Sequence, residues 1–313
     1  MGVLGNHRHL RSTPYLVVLR CIMNSATLGA MHPDAASSEK AAVGQLGACA
    51  PVHDVLIEIG AMPVLVRTGS AEFLQILENR YGGFVNPAAH PVFEFDVDIV
   101  PPGRITDEDE LSVRFEGGRW VLERGDFHAE LDPALRHGRI RQAASPYAID
   151  AAFRILHSLL LAPQGGLLVH AASAVRNGRA FLFAGVSGAG KTTISRLAPP
   201  DATLLTDEIS YLRREGDGYT AYGTPFAGEL AEPGENVRAP LAVLYLLAQG
   251  PENRIDPVGE ADATRAVLES ILFFAQDREL VGQVFQSACE LVRRVPVKKL
   301  TFVPDSRVWE LIG

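Results

Sequence analysis

Positive charge and cysteine are both scarce in this 313-residue chain, and each shortage excludes a class of function. Twenty-nine Lys and Arg stand against 37 Asp and Glu, a formal net charge of −8. A protein whose main partner is nucleic acid needs clustered excess cation to displace counterions from the phosphate backbone, so no nucleic-acid partner is expected. The three cysteines, Cys21, Cys49 and Cys289, lie far apart and form no C-x-x-C pair. That spacing argues against a disulfide framework or a zinc site and for a reducing, cytoplasmic setting. A long apolar run is missing as well. The nearest approach, "TPYLVVLRCIMNSATLGAM", follows His7, Arg8, His9 and Arg11 in the manner of a signal peptide. Arg20 interrupts it, and it is too short to span a bilayer, so no membrane partner is expected. "HPDAASSEKAAVGQLGACAP" then reads as a small-residue linker. Residues 1–50 are expected to be a disordered extension, with Met23 or Met31 as the natural start.

What is present suits a folded protein of one or two domains, 47% hydrophobic and 21% charged. "VLIEI" and "PVLVRT" read as short strands, and "SAEFLQILENRYGG" as a helix. In that helix Phe73, Ile76 and Leu77 share a face, Ser70 caps the start and Gly82 stops it. "VFEFDVDIV" alternates strictly, placing Phe93, Phe95, Val97 and Ile99 on one side and Glu94, Asp96 and Asp98 on the other. The acidic row has the letters of a metal site, but a solvated strand face gives the same letters. "LSVRF", "RWVLER" and "FHAEL" follow as an antiparallel meander. Residues 51–140 thus read as a small α+β domain without evident chemistry.

The second half opens with "SPYAIDAAFRILHSLLL", a helix capped by Ser145 with Pro146 at its first position and a buried stripe of Ile149, Phe153, Leu156 and Leu160. "LLVHAASAVRNGRAFLFAG" then reads as two strands turning at Asn177-Gly178, a pair suited to the positive φ values of a type I′ hairpin turn. The second strand runs directly into Gly185-x4-Gly190-Lys191-Thr192, which satisfies the P-loop pattern G-x-x-x-x-G-K-[ST] in full. Glycines let the backbone approach an anion closely, and the loop amides then converge on phosphate oxygens. Gly185, Val186, Ser187, Gly188, Ala189, Gly190, Lys191, Thr192 and Thr193 are therefore candidate nucleotide-binding residues, for ATP with Mg²⁺. Lys191 is placed to reach the β and γ phosphates, and the Thr192 hydroxyl to ligate the metal.

Just beyond, "ATLLTDEIS" ends an apolar run in Asp207 and Glu208. One acid could hold Mg²⁺ and the other accept a proton from an incoming hydroxyl. Asp207 follows Lys191 by only 16 residues, with Pro199-Pro200 ending the intervening helix. So short a unit favours a compact phosphotransferase over a motor-type ATPase. His170, at the end of "LLVH", reads on composition alone as either a satisfied core residue or a participant.

Taken together, "LLVHAASAVRNGRAFLFAGVSGAGKTT" and "LLTDE" resemble the catalytic domain of HPr serine kinase/phosphorylase and its relatives, which share ancestry with phosphoenolpyruvate carboxykinases. In that family a His precedes a hairpin, the hairpin leads into the phosphate loop, and an Asp-Asp pair follows. The resemblance implies that His170 helps set the charge of the site, and that Asp207 sits at Mg²⁺ and at the substrate hydroxyl as base. "AYGTPFAGE", "APLAVLYLLAQGPENRIDPV" and "LVRRVPVKKLTFVPDSRVWELI" resemble a wider set of HPr-kinase-like proteins of bacterial biosynthetic and regulatory clusters. Some of these phosphorylate a serine of a ribosomal peptide precursor. The resemblance covers about 51–313 and is strongest over 167–210. This chain departs from the family in having Glu208 where Asp is usual, and in lacking the arginine- and glycine-rich signature that follows. Residues 51–140 also differ from the family's amino-terminal domain, so neither HPr as substrate nor phosphorylase activity is implied.

The fold expected is α/β: a P-loop domain of the HPr kinase/phosphoenolpyruvate carboxykinase-like type over 141–313, preceded by the small α+β domain. The function expected is ATP- and Mg²⁺-dependent transfer of the γ-phosphoryl group to a hydroxyl, a serine of a peptide or protein. A nucleotide-binding scaffold that transfers nothing is the rival, and a partner-coupled ATPase a third reading. Glu229, in "TPFAGE", is a further candidate metal ligand beside Thr192, Asp207 and Glu208. Arg238 and Arg254 are candidates to neutralise transferred phosphate, though a surface arginine is the plainer reading of each. "ATRAVLESILFFAQ" and "ELVGQVFQSACELVRRV" read as helices covering the sheet, with Val267, Leu268, Ile271, Val281, Val284 and Phe285 facing it. With the acidic "DREL" between them they could instead form a lid or partner face, and a homo-oligomer is left open.

Overall fold

A computed structural model describes residues 52–101 and 111–313. The expectations for residues 1–50, with Cys21 and Cys49, lie outside the described residues. The fold is mixed α/β, built on two sheets.

The first sheet contains β1 (His53–Ile59), β2 (Met62–Thr68), β3 (Phe93–Ile99), β4 (Ser112–Glu116), β5 (Arg119–Arg124), β6 (Phe127–Asp132) and β7 (His137–Gln142), in the order β1-β2-β3-β7-β6-β5-β4. β2, β3 and β7 run parallel, and β4 to β6 form the expected meander, which β7 extends by a strand the sequence reading did not include. Alternation sorts β3 as expected: Phe93, Phe95 and Val97 are buried while Asp98 is exposed. Helix α1 (Ala71–Tyr81) joins β2 to β3, and the Ser70 hydroxyl accepts from the Phe73 amide as its cap. The α-helix stops at Gly82 as expected; Gly82 keeps helical angles rather than left-handed ones, and the chain tightens into a 3₁₀ turn over Gly82–Phe84 that buries Phe84.

Helix α2 (Pro146–Leu161) starts at the expected cap, with Ser145 Oγ accepting from the Tyr147 amide. It buries far more than one stripe, because it is wedged between the two sheets. Phe153 meets Tyr81 and Phe95 edge-on from the first sheet's side, and His157 meets Tyr211 edge-on from the second. One continuous core therefore runs from the first sheet through α2 into the second. The boundary expected between 140 and 141 falls inside β7.

The second sheet, of nine strands, comprises β8 (Leu167–Val169), β9 (Ala171–Arg176), β10 (Arg179–Ala184), β11 (Ala202–Thr206), β12 (Ser210–Glu215), β13 (Gly218–Tyr222), β14 (Arg238–Gln249), β15 (Arg254–Pro257) and β16 (Val297–Phe302). Asn177 and Gly178 take φ values of 52° and 72°, the type I′ turn expected between β9 and β10. The sequence reading of one strand through "LLVHAASAVR" is incorrect in one respect: the run breaks at His170. β8 before it pairs with β12, and β9 after it pairs with β10 and β11.

The same switch happens alongside, where β11 pairs with β9 and β12 pairs with β8, with 207–209 between them. β14 makes a third crossing, pairing with β13 as far as Pro240 and with β10 from Leu241. The sheet thus folds along a seam at which three chains change partners. Helix α3 (Lys191–Arg196) follows the loop after β10 and rests on a smaller core that includes Ile194, Phe302 and Trp309.

Helix α5 (Arg278–Arg294) packs on β8 and β13, as expected for a helix covering the sheet, and helix α4 (Glu260–Ser270) packs on α5 and stops short of "ILFF". Ile271 bridges to Val169 and the Leu272 amide donates to Leu168, so this apolar segment serves as an extended edge beside β8. On α5, Val281 and Val284 are buried while Phe285 is exposed. Among the described residues no helix is long and apolar enough to cross a membrane.

Candidate functional site

The loop between β10 and α3 takes its shape from glycine. Gly188 and Gly190 have φ values of 80° and 109°, which side chains disfavour. A Cβ on Gly190 would stand 2.6 Å from Phe302 Cζ. The loop is braced from β14, whose Gln249 donates from Nε2 to the Gly188 carbonyl at 2.7 Å. Lys191 Nζ donates back to the Gly185 carbonyl at 2.8 Å, and Thr192 Oγ1 donates to Glu229 Oε2 at 3.0 Å. Val186, at the tip, is 78% exposed.

The seam supplies the other side chains. Consecutive residues at a strand break face different surroundings, and Asp207 and Glu208 do so. Asp207 is buried, and its two carboxylate oxygens accept from the backbone amides of Gly228 and Leu230 at 2.8 and 2.9 Å. It thereby fixes the turn that carries Glu229 to Thr192. Glu208 remains part-exposed, with Oε1 3.7 Å from His170 Nδ1. The Thr206 hydroxyl accepts from the amides of Glu208 and Ile209 and holds the turn between β11 and β12.

The field of the site is mixed. Burial, and then the charges of Lys191 and Arg154, drive His170 down to about 3, so the imidazole is neutral at pH 7. Burial also pulls Lys191 below its ordinary value, opposed by Glu208 and Glu229. Arg154, from α2, is lowered by burial and held up by Asp150 and Glu208. The structure thus brings His170, Lys191, Thr192, Asp207, Glu208 and Glu229 together from four separate segments.

Among the described residues no three His, Cys, Asp or Glu side chains are grouped closely enough to hold a metal ion by themselves. The oxygen donors at hand, Thr192 with Glu229 and the neighbouring Glu208, are of the hard kind that suits Mg²⁺. Mg²⁺ commonly takes one or two carboxylates and completes its shell with phosphate oxygens and water, so the residues present fit it in that manner. Arg238 and Arg254 are engaged elsewhere. Arg238 donates to the Tyr222 hydroxyl, and Arg254 pairs with Glu252 and Asp256. The acidic row of β3 is a charge ladder, with Glu94, Asp96 and Asp98 facing Arg67, His137 and Arg139.

Arg154 is the participant that the sequence reading missed. Its signal was a single Arg inside "AIDAAFRILHSLLL", a mostly apolar helix, where a buried charge is uncommon without a partner or a task.

Comparison with known proteins adds a family. A family profile described as "SynChlorMet cassette protein ScmC" matches residues 149–313, more than half of the chain and all of the seam. The chain belongs to the ScmC family. The family region begins within α2, so it includes Arg154 together with every candidate site residue above. No curated protein matches the chain. Among solved structures, the chain is similar to the HPr(Ser) kinase/phosphatase from Coxiella burnetii at 12% identity, over 43% of this chain and 84% of that one, with a TM-score of 0.23.

Proposed function

We propose that the protein is a cytoplasmic, nucleotide-dependent phosphotransferase that moves the γ-phosphoryl group of ATP, with Mg²⁺, to a hydroxyl, a serine of a peptide or protein. The observation that carries this reading is the convergence at the seam. A complete phosphate-loop motif ends with Thr192 bonded to Glu229, while Glu208 acts electrostatically on Lys191 and lies beside His170. Phosphoryl transfer needs little covalent help from a protein; positioning and charge neutralisation supply most of the acceleration.

In this reading the amides of 185–190 and the Lys191 ammonium bind the phosphates. Thr192 and Glu229 would hold Mg²⁺, which when bound offsets negative charge on the phosphates. The base expected at Asp207 is reassigned to Glu208. Asp207 spends both oxygens on backbone amides and is 3% exposed, so it fastens the Glu229 turn, whereas Glu208 can meet an incoming hydroxyl. His170, neutral, orients Glu208 without competing for its charge.

One observation favours a second reading, nucleotide binding without transfer: the acid that begins the Asp207-Glu208 pair is committed to structure. Incubation with γ-³²P-ATP, Mg²⁺ and serine peptides from neighbouring genes separates the two. Label on serine, lost in Glu208→Gln, supports transfer by the proposed base. Tight nucleotide binding with no label supports the binding protein. Transfer that survives Glu208→Gln but not Asp207→Asn returns the base to Asp207.

A further inference from the structure

We propose that Arg154 is a second phosphate-binding cation of this site, brought by α2 from outside the loop, and that it reads the terminal phosphate of a nucleoside triphosphate. This inference rests on the phosphate-binding reading above and extends it to a residue that no motif contains.

Arg154 is the only Lys or Arg in α2. Its guanidinium carbon lies 5.0 Å from the centroid of the Phe226 ring, which holds one face of the plane. Its Nε is buried with no hydrogen-bond partner among the described residues. The carboxylate one turn earlier in the helix does not supply one. Asp150 Oδ2 accepts from Arg80 at 2.7 Å, and its Oδ1 accepts from the Tyr81 hydroxyl. A buried donor left unsatisfied is costly, and a folded chain has little reason to place a guanidinium there for packing alone.

Its neighbours state the task. Lys191 and Arg154 act together on His170, and Glu208 acts on both cations. Two cations from different elements therefore share one histidine and one carboxylate. A terminal phosphate offers three oxygens, enough to accept from an ammonium and from a planar guanidinium at once. The loop amides hold a diphosphate and Lys191 reaches one side of the γ group, whereas among the described residues of α2 only Arg154 is a cation for its other side. Phe226 lies in the segment between β13 and β14 that also carries Glu229, so the guanidinium and the Glu229 turn are tied to one another.

Calorimetric titration of the full chain with Mg²⁺-AMP-PNP and with Mg²⁺-ADP tests this. Arg154→Gln should weaken AMP-PNP by about 30-fold and leave ADP within about threefold, and Arg154→Lys should recover part of the difference. A structural role would lower both affinities together or neither, so the ratio is the readout. Equal loss, or no loss, in a variant whose circular dichroism matches the parent overturns the inference while the phosphate-binding reading stands. Wild-type protein that binds neither nucleotide overturns both. If Arg154→Gln does not fold, Arg154→Lys decides by the same ratio.

Discussion

The first sheet and the seam of the second both carry rows of carboxylates, and the backbone beneath them decides what those acids do. On β3 a regular strand sends every second side chain outward, where adjoining β2 and β7 present bases on the same face, each offset by two residues from the acid it meets. Glu94 meets Arg67 at 2.6 Å and Asp96 meets His137 at 3.0 Å, all more than a third exposed. Such pairs satisfy each other locally and are worth little. At the seam the chain changes strand partners between Thr206 and Ser210, and two adjacent acids part company. Asp207 turns inward to backbone amides, and Glu208 turns toward His170. Similar letters therefore give a solvated ladder in one place and a partly desolvated, mixed-charge pocket in the other.

The comparison is broken most severely at Lys191. Lys191→Met should reduce nucleotide affinity by about 100-fold or more, read by calorimetry, while Arg67→Met on the charge ladder changes it less than twofold. A parallel loss in Arg67→Met would mean that the first sheet belongs to the site.

Next in size is Asp150, the buried acid joining α1 to α2 through Arg80 and Tyr81. Asp150→Ala should cost about 3 kcal/mol in urea unfolding, since it strands a part-buried guanidinium and a buried hydroxyl. A cost below about 1 kcal/mol would place these groups in the same class as the surface ladder.

Acid sharpens the contrast further. His157 and His170 are each held near 3 by burial, against an ordinary 6.5. The unfolded chain takes up protons below pH 6.5 while the folded chain does not until about pH 3. Their neutral burial therefore costs nothing above pH 6.5 and erodes stability as pH falls through that window. By pH 5 the loss is about 2 kcal/mol for each histidine, and His170→Gln should remove about half of the combined decline. A stability curve that is flat between pH 7 and pH 5 would contradict the burial of both rings.

The smallest effect belongs to the ladder itself. Asp96→Asn should shift stability by less than about 0.5 kcal/mol and leave nucleotide binding unaltered.

Much of the architecture was legible because it rests on short-range rules. Ser70 and Ser145 cap their helices, Asn177-Gly178 turns its hairpin, and the meander from Ser112 to Asp132 follows its alternating pattern. Two of the misreadings share a cause, which is long-range pairing. "LLVHAASAVR" looks like one strand because both of its halves are apolar, yet each half finds a different partner. "ILFF" looks like the end of α4 because its spacing is helical, yet β8 offers it an edge. Arg154 escaped notice because it belongs to no motif and lies 37 residues before Lys191.

The sequence by itself determined the glycine-rich loop. A glycine-rich turn between a strand and a helix is specified by local φ preferences, and Gly185 to Thr193 carry those preferences wherever the rest of the chain goes. Only the tertiary structure decided which acid is fastened by backbone amides and which lies beside His170, and that Arg154 of α2 acts on the same histidine as Lys191. Those outcomes depend on where β8, β9, β11 and β12 exchange partners and on how α2 is wedged between the sheets. The physical reason is that pairing across a sheet and burial between layers are set by residues distant in the chain, and no local window of sequence contains both sides of the contact.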